Sequence, residues 1–212
     1  MTDKQAAYAL SAKTVIRNLE KRNMNGYYCA DRKEALSMIL SMIPPNSSIS
    51  WGGSATLSEI GLSDALKAAS TYELIDRSLA VTLEEKKKLY GQTATCDYFL
   101  MSSNAITMDG ELINIDGTGN RVAALIYGPE HVFVIAGMNK IVSNVDQGLS
   151  RTRDIAAVAN AIRLDRKTPC GINGRCGDCL LPDCMCSHMV ITRRCNIANR
   201  ISVFLIGEEL GY

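Results

Sequence analysis

Short apolar runs of strand character alternate with amphipathic runs of helical spacing along most of this chain, and that alternation limits its fold more than any other feature. Near the start, Leu10, Val15, Ile16 and Leu19 recur close to a 3.6-residue period among charged neighbours. They predict a helix of about twenty residues that stops at Asn25-Gly26. Tyr27 to Ala30 has strand character, and Asp31 can cap a following helix with Ala35, Leu36, Ile39, Leu40 and Ile43, ended by Pro44-Pro45. The unit repeats as Ser48 to Trp51, a Gly52-Gly53-Ser54 turn and a helical run from Ala55, then as Tyr72 to Ile75 and Leu83 to Thr95. Strands then come closer together, at Asp97 to Ser102, Glu111 to Ile115 and His131 to Ala136. A last helix is expected over Val145 to Leu164, and Ile201 to Ile206 reads as one more apolar strand. Such an order predicts an α/β fold with a largely parallel sheet and ligand sites at the carboxyl ends of its strands.

The chain has 212 residues, enough for one domain with at most a small appendage. With 47% hydrophobic and 21% charged residues it is globular rather than disordered. A net charge of +1 supplies no bulk basic field, so nucleic acid is not an expected partner. The longest apolar stretches fall far short of the roughly 18 residues that a bilayer crossing requires. Residues 1 to 24 contain no continuous apolar segment of the secretory kind, and a cytoplasmic protein is expected.

Two strand exits carry ligand-type chemistry. Ser50-Trp51-Gly52-Gly53-Ser54-Ala55-Thr56 runs from a strand through two glycines into hydroxyls at a helix start. Backbone there can approach an anion closely, although Ser54 or Thr56 can equally well act only as a cap. In Asn114-Ile115-Asp116-Gly117-Thr118-Gly119-Asn120-Arg121, Asp116 can bind a hydroxyl or ammonium, Asn120 an amide or carboxylate, and Arg121 a carboxylate or phosphate bidentately. Its structural alternative is a turn in which Asp116 caps a helix and pairs with Arg121. Asn104, in Asn104-Ala105-Ile106-Thr107, and Lys140, in Gly137-Met138-Asn139-Lys140, lie at further strand exits; Lys140 is a candidate to neutralise an anion. Glu59, on the helix after the first turn, either faces the same crevice or points to water. Only two histidines exist, and His131 reads as an edge residue, so Ser/His/Asp hydrolysis is disfavoured.

Of eight cysteines, only Cys29 and Cys96 precede Cys170, and six fall between Cys170 and Cys195. Cys176 and Cys179 form a C-x2-C pair flanked by glycine, which suits a metal better than a disulfide framework in a reducing compartment. Residues 163 to 200 hold seven basic and three acidic side chains, so this stretch is at +4 against −3 for the remainder. That local charge would offset thiolates around zinc or an iron–sulfur cluster, and spacing does not separate the two. His188 is a possible nitrogen ligand.

The runs Trp51 to Leu62, Ala94 to Thr107, Ile115 to Pro129 and Gly137 to Val142, in this order, resemble the lactate-utilisation (LUD) domain proteins. The resemblance implies a Rossmann-like α/β sheet similar to the NagB/RpiA/CoA-transferase group, with a small cysteine-rich segment at the C-terminal side. The change of character at the cysteines divides the chain into an α/β domain over 1–165, an expected metal-binding segment over 166–200 and a returning strand over 201–212. It implies a ligand site at Gly52, Gly53, Ser54, Thr56, Glu59, Asn104, Asp116, Gly117, Thr118, Gly119, Asn120, Arg121 and Lys140, taking a small anionic metabolite or nucleotide. Cys170, Cys176, Cys179 and Cys186 match the metal-ligand spacing of a subgroup, with Cys184 and Cys195 additional. A role as subunit or accessory protein in oxidation of lactate or a related organic acid, beside iron–sulfur partner subunits, is what the likeness suggests. The alternatives are a metabolite-binding regulator with structural zinc, or a transferase or isomerase acting on a phosphorylated or CoA-linked substrate.

Overall fold

The computed structural model describes residues 2–212 and shows a parallel six-stranded sheet flanked by helices and by a second, smaller sheet. The first helix, α1 (Asp3–Lys21), opens with a Thr2–Gln5 capping box and buries Ala12, Val15 and Leu19. Leu10, expected on that stripe, is 66% exposed because it stands half a turn away from Leu19. Strand β1 (Asn25–Cys29) leads to α2 (Arg32–Ser41), where the Asp31 side chain accepts from the Lys33 and Glu34 amides as its sequence position predicts.

Next come β2 (Ser48–Trp51), α3 (Ala55–Glu59), α4 (Leu62–Ala68), β3 (Glu73–Ile75), α5 (Leu83–Thr93) and β4 (Tyr98–Met101). They are followed by β5 (Ala105–Thr107), β6 (Leu112–Asp116), α6 (Asn120–Ile126), β7 (His131–Gly137) and β8 (Ile141–Val142). The main sheet has the order β1, then the last strand β10 (Ile201–Ile206), then β7, β4, β2 and β3, with every pair parallel. All six residues of β10 are buried, the continuous apolar run of a strand covered on both faces. His131 opens β7, an interior strand, and stacks on Tyr98 with ring centroids 4.9 Å apart, so it is not the edge residue that its position after Pro129-Glu130 suggested.

The second sheet, ordered β8-β5-β6-β9, takes its last strand, β9 (His188–Thr192), from the cysteine-rich stretch. β5, β8 and β9 lie at two- to five-residue stretches too short to announce themselves by period. α1 and the inner face of this second sheet cover one side of the main sheet, while α2, α3 and α4 cover the other. The long helix expected over 145–164 is α7 (Val145–Arg151), a π-turn at Thr152–Ala156 and α8 (Ala157–Arg163). It is not the last helix, since α9 (Pro169–Asn173) places Cys170 in a short turn beyond it. Among the described residues no helix is long and apolar enough to cross a membrane.

Candidate functional site

A cavity of about 510 Å³ opens where the carboxyl ends of β2, β3 and β4 meet the end of β6 and the helix carrying the π-turn. Its size lies within the range of small-molecule sites. Of the residues singled out in the sequence, Gly53, Ser54, Thr56, Asn104, Asp116, Gly117, Thr118, Asn120, Arg121 and Lys140 line it.

The β2 exit is built as a cap. The Ser54 hydroxyl accepts from the Leu57 amide at 3.4 Å, and α3 runs only five residues, too short to hold an anion by its dipole. Gly52 continues the ladder by donating to the Leu100 carbonyl at 2.9 Å. A Cβ there would meet the Arg121 side chain at 3.2 Å, so Gly52 lets that arginine pass beneath rather than facing the cavity.

At the β6 exit the ligand-type groups satisfy one another. Asp116 accepts from the Gly119 amide at 2.8 Å and from Arg121 Nε at 3.1 Å, with the two side chains 11% and 15% exposed. Arg121 also donates to the Ser102 carbonyl, to Asn104 Oδ1 and to the Ile115 carbonyl, leaving one of its five N–H groups free. The bidentate anion clamp expected of Arg121 is therefore used to lock two strand exits together. Gly119 heads α6 at a φ of +87°, packed beside the His188 ring, and does not line the cavity. His188 pairs across the sheet with Asp116 as the first residue of β9.

Glu59 also lies outside, at the end of α3, where its Oε2 accepts from the Gly211 amide at 2.7 Å. It holds the segment after β10 in place. Asn139 assists by accepting from the Leu210 amide and donating to the Gly211 carbonyl. Tyr212, carried by that segment, lines the cavity with a buried hydroxyl that has no protein partner.

Lys140 is the residue that changes most between sequence and structure. A lone loop lysine is ordinarily solvated, yet this one is 2% exposed, and its Nζ donates to Thr56 Oγ1 and Ser102 Oγ, both at 3.0 Å. Burial, then the Arg151 and Arg121 guanidinium groups, lower its pKa to about 7, with Glu59 acting weakly the other way.

Several lining groups went unread. Arg77, just beyond β3, donates Nε and Nη2 to the Trp51 carbonyl and stands over the Tyr90 ring. Its place at a strand exit was the available signal. Thr152, Ala156, Asn160 and Arg163 come from the helix that contains the π-turn, and no period marks such a turn.

Within the cysteine-rich segment, Met185 and Cys186 reach the cavity. The Cys186 thiol is pushed up to about 12, first by burial and then by Cys184, Cys176 and Cys170 nearby. Among the described residues no three His, Cys, Asp or Glu side chains are grouped to hold a metal ion. Cys29 and Cys96 are buried core thiols, each raised to about 11 chiefly by burial.

A DUF162 family protein from Deinococcus radiodurans has a similar fold, at a TM-score of 0.53 and 11% identity, covering 95% of this chain and 98% of that one. Ribose 5-phosphate isomerase A from Neisseria gonorrhoeae overlaps 54% of each chain at 14% identity and a TM-score of 0.36. No curated protein matches the chain. The model of the LUD domain matches residues 12–206, which takes in both sheets and every wall of the cavity except Tyr212. This chain belongs to the LUD domain family, the lactate-utilisation family whose motifs its sequence carries.

Proposed function

We propose that the cavity binds a small anionic metabolite or nucleotide and that the chain serves, as a subunit or accessory protein, in the oxidation of lactate or a related organic acid. The observation that carries the anion is the charge left over once ion pairs are set aside. Asp116 is paired with Arg121, Asp76 with Lys67 at 3.1 Å, and Arg166 with Asp183 at 3.4 Å. Arg77, Lys140 and Arg163 then line the cavity without a carboxylate partner among the described residues. Cations gathered in a concave, partly desolvated site favour carboxylate or phosphate far more than the same charges on an open surface. The organic-acid part rests on the family.

Titration calorimetry with inorganic phosphate, L-lactate and ADP tests the binding. At least one should bind, and Arg163→Gln, which removes a cation bound only to Asn160, should weaken it by roughly tenfold or more, the size of one charge-assisted hydrogen bond. No binding of any of the three, or affinity unchanged in the variant, removes the cavity as an anion site.

Six cysteines packed between Cys170 and Cys195 also support the proposal that the segment takes zinc or an iron–sulfur cluster by rearranging around it. Iron and acid-labile sulfide in protein purified without oxygen would make it an electron-transfer element. One zinc per chain would make it structural, and neither would remove the metal from the reading.

A further inference from the structure

The hydrogen bonds around Lys140 leave its nitrogen in an unusual position for a buried lysine. Thr56 Oγ1 has the Leu210 carbonyl at 3.4 Å and Ser102 Oγ at 3.5 Å as acceptors for its hydrogen, and Ser102 Oγ has the Ser103 carbonyl at 3.4 Å for its own. Both hydroxyls therefore meet Nζ as acceptors, at 3.0 Å each. They occupy two N–H bonds of the amine and leave the lone pair of its neutral form unengaged. Among the described residues no carboxylate lies within ion-pair distance of Nζ. The nearest acidic influence, Glu59, is held by the Gly211 amide, while Arg121 and Arg151 both disfavour an ammonium beside them. With its pKa near 7, about half of this amine is free base at neutral pH, against about one in 2,500 for an ordinary lysine. A desolvated lysine beside other cations is a recognised form of activated nucleophile.

We propose that Lys140 is a nucleophilic amine that condenses in the cavity with the carbonyl of a small molecule that also carries an anionic group. Its lone pair forms the C–N bond, the two hydrogens of Nζ pass to the carbonyl oxygen, which departs as water, and a C=N double bond to Nζ remains. The buried Tyr212 hydroxyl, without a protein partner and lining the same cavity, is the group available to relay a proton, giving its own to the leaving oxygen and recovering one from Nζ. Arg77 and Arg163 would hold the anionic end, and this part rests on the anion-binding reading above. The π-turn places Thr152 and Ala156 on the same cavity, and such turns concentrate at functional sites.

The test is reductive trapping of the whole protein at pH 7 with cyanoborohydride, using pyruvate as the anionic carbonyl probe and acetone as the neutral one, followed by peptide mapping. The expected result is an adduct at Lys140 at least about tenfold above that at any other lysine, consistent with the difference in free amine, with pyruvate well ahead of acetone. Lys140→Arg should lose the adduct at that position while the remaining lysines label as before. Because the map is made on the unaltered chain, it decides the matter even if that variant folds poorly. Labelling spread evenly over the lysines, or sparing Lys140, overturns the proposal. Phosphate binding alongside an unlabelled Lys140 overturns the imine alone and leaves the anion site standing. Equal labelling of Lys140 by pyruvate and acetone, with no phosphate binding, overturns the anionic requirement and the reading beneath it.

Discussion

Single residues decide how the cavity is closed. Gly211 has a φ of +56°, and a Cβ on it would lie 2.5 Å from Thr56 Oγ1 and 3.2 Å from Lys140 Nζ. Only glycine lets the segment after β10 lie against the lysine and its two hydroxyls. Gly211→Ala is expected to destabilise the fold by about 1–3 kcal/mol, the size of a left-handed strain plus a close contact, and to reduce trapping at Lys140. A denaturant midpoint equal to that of the unaltered chain, read with the same trapping yield, would contradict this account. This contact was not visible beforehand, because Gly211 stands more than seventy residues from Lys140 and 155 from Thr56. Asn114 is a residue without an explanation: its carboxamide is fully buried in β6, and neither polar atom finds a protein partner.

Between elements, the return of the chain from the cysteine-rich segment to the main sheet is anchored by Arg200. Its buried guanidinium donates to the carbonyls of Ala124 and Leu125, at the end of α6, and of Pro129, just before β7. These carbonyls would otherwise be left without partners at a helix end. Arg200→Met keeps much of the side-chain volume but orphans three acceptors, and thermal and denaturant unfolding should show a loss of about 2–4 kcal/mol. A loss well under 1 kcal/mol would mean that water satisfies those carbonyls equally well. Element order, by contrast, was readable. Asp31 caps α2, Pro44-Pro45 follows its end, and the apolar runs of β4, β7 and β10 stand where they were expected, because caps, breakers and periods are local properties. The short β5, β8 and β9 were not, since two to five residues pair only by virtue of the neighbour they find.

Across the whole molecule, exits of the parallel strands β2, β3 and β4 and of the antiparallel β6, far apart in sequence, converge on one cavity. The sequence alone determined the α/β class, the succession of elements, the family likeness and ten of the residues at that crevice, because each depends on spacing within a short window. Tertiary structure alone decided what those residues are free to do. Asp116 and Arg121 neutralise each other, Glu59 clasps Gly211, and Lys140 is buried among hydroxyls and cations with no acid to pair with. The cysteine-rich segment, remote in sequence from the strand exits, brings Met185 and Cys186 to the border of the ligand cavity. The physical reason is that charge, desolvation and hydrogen bonding act through space over a few ångströms, and which groups come that close is set by packing between elements rather than by neighbours along the chain.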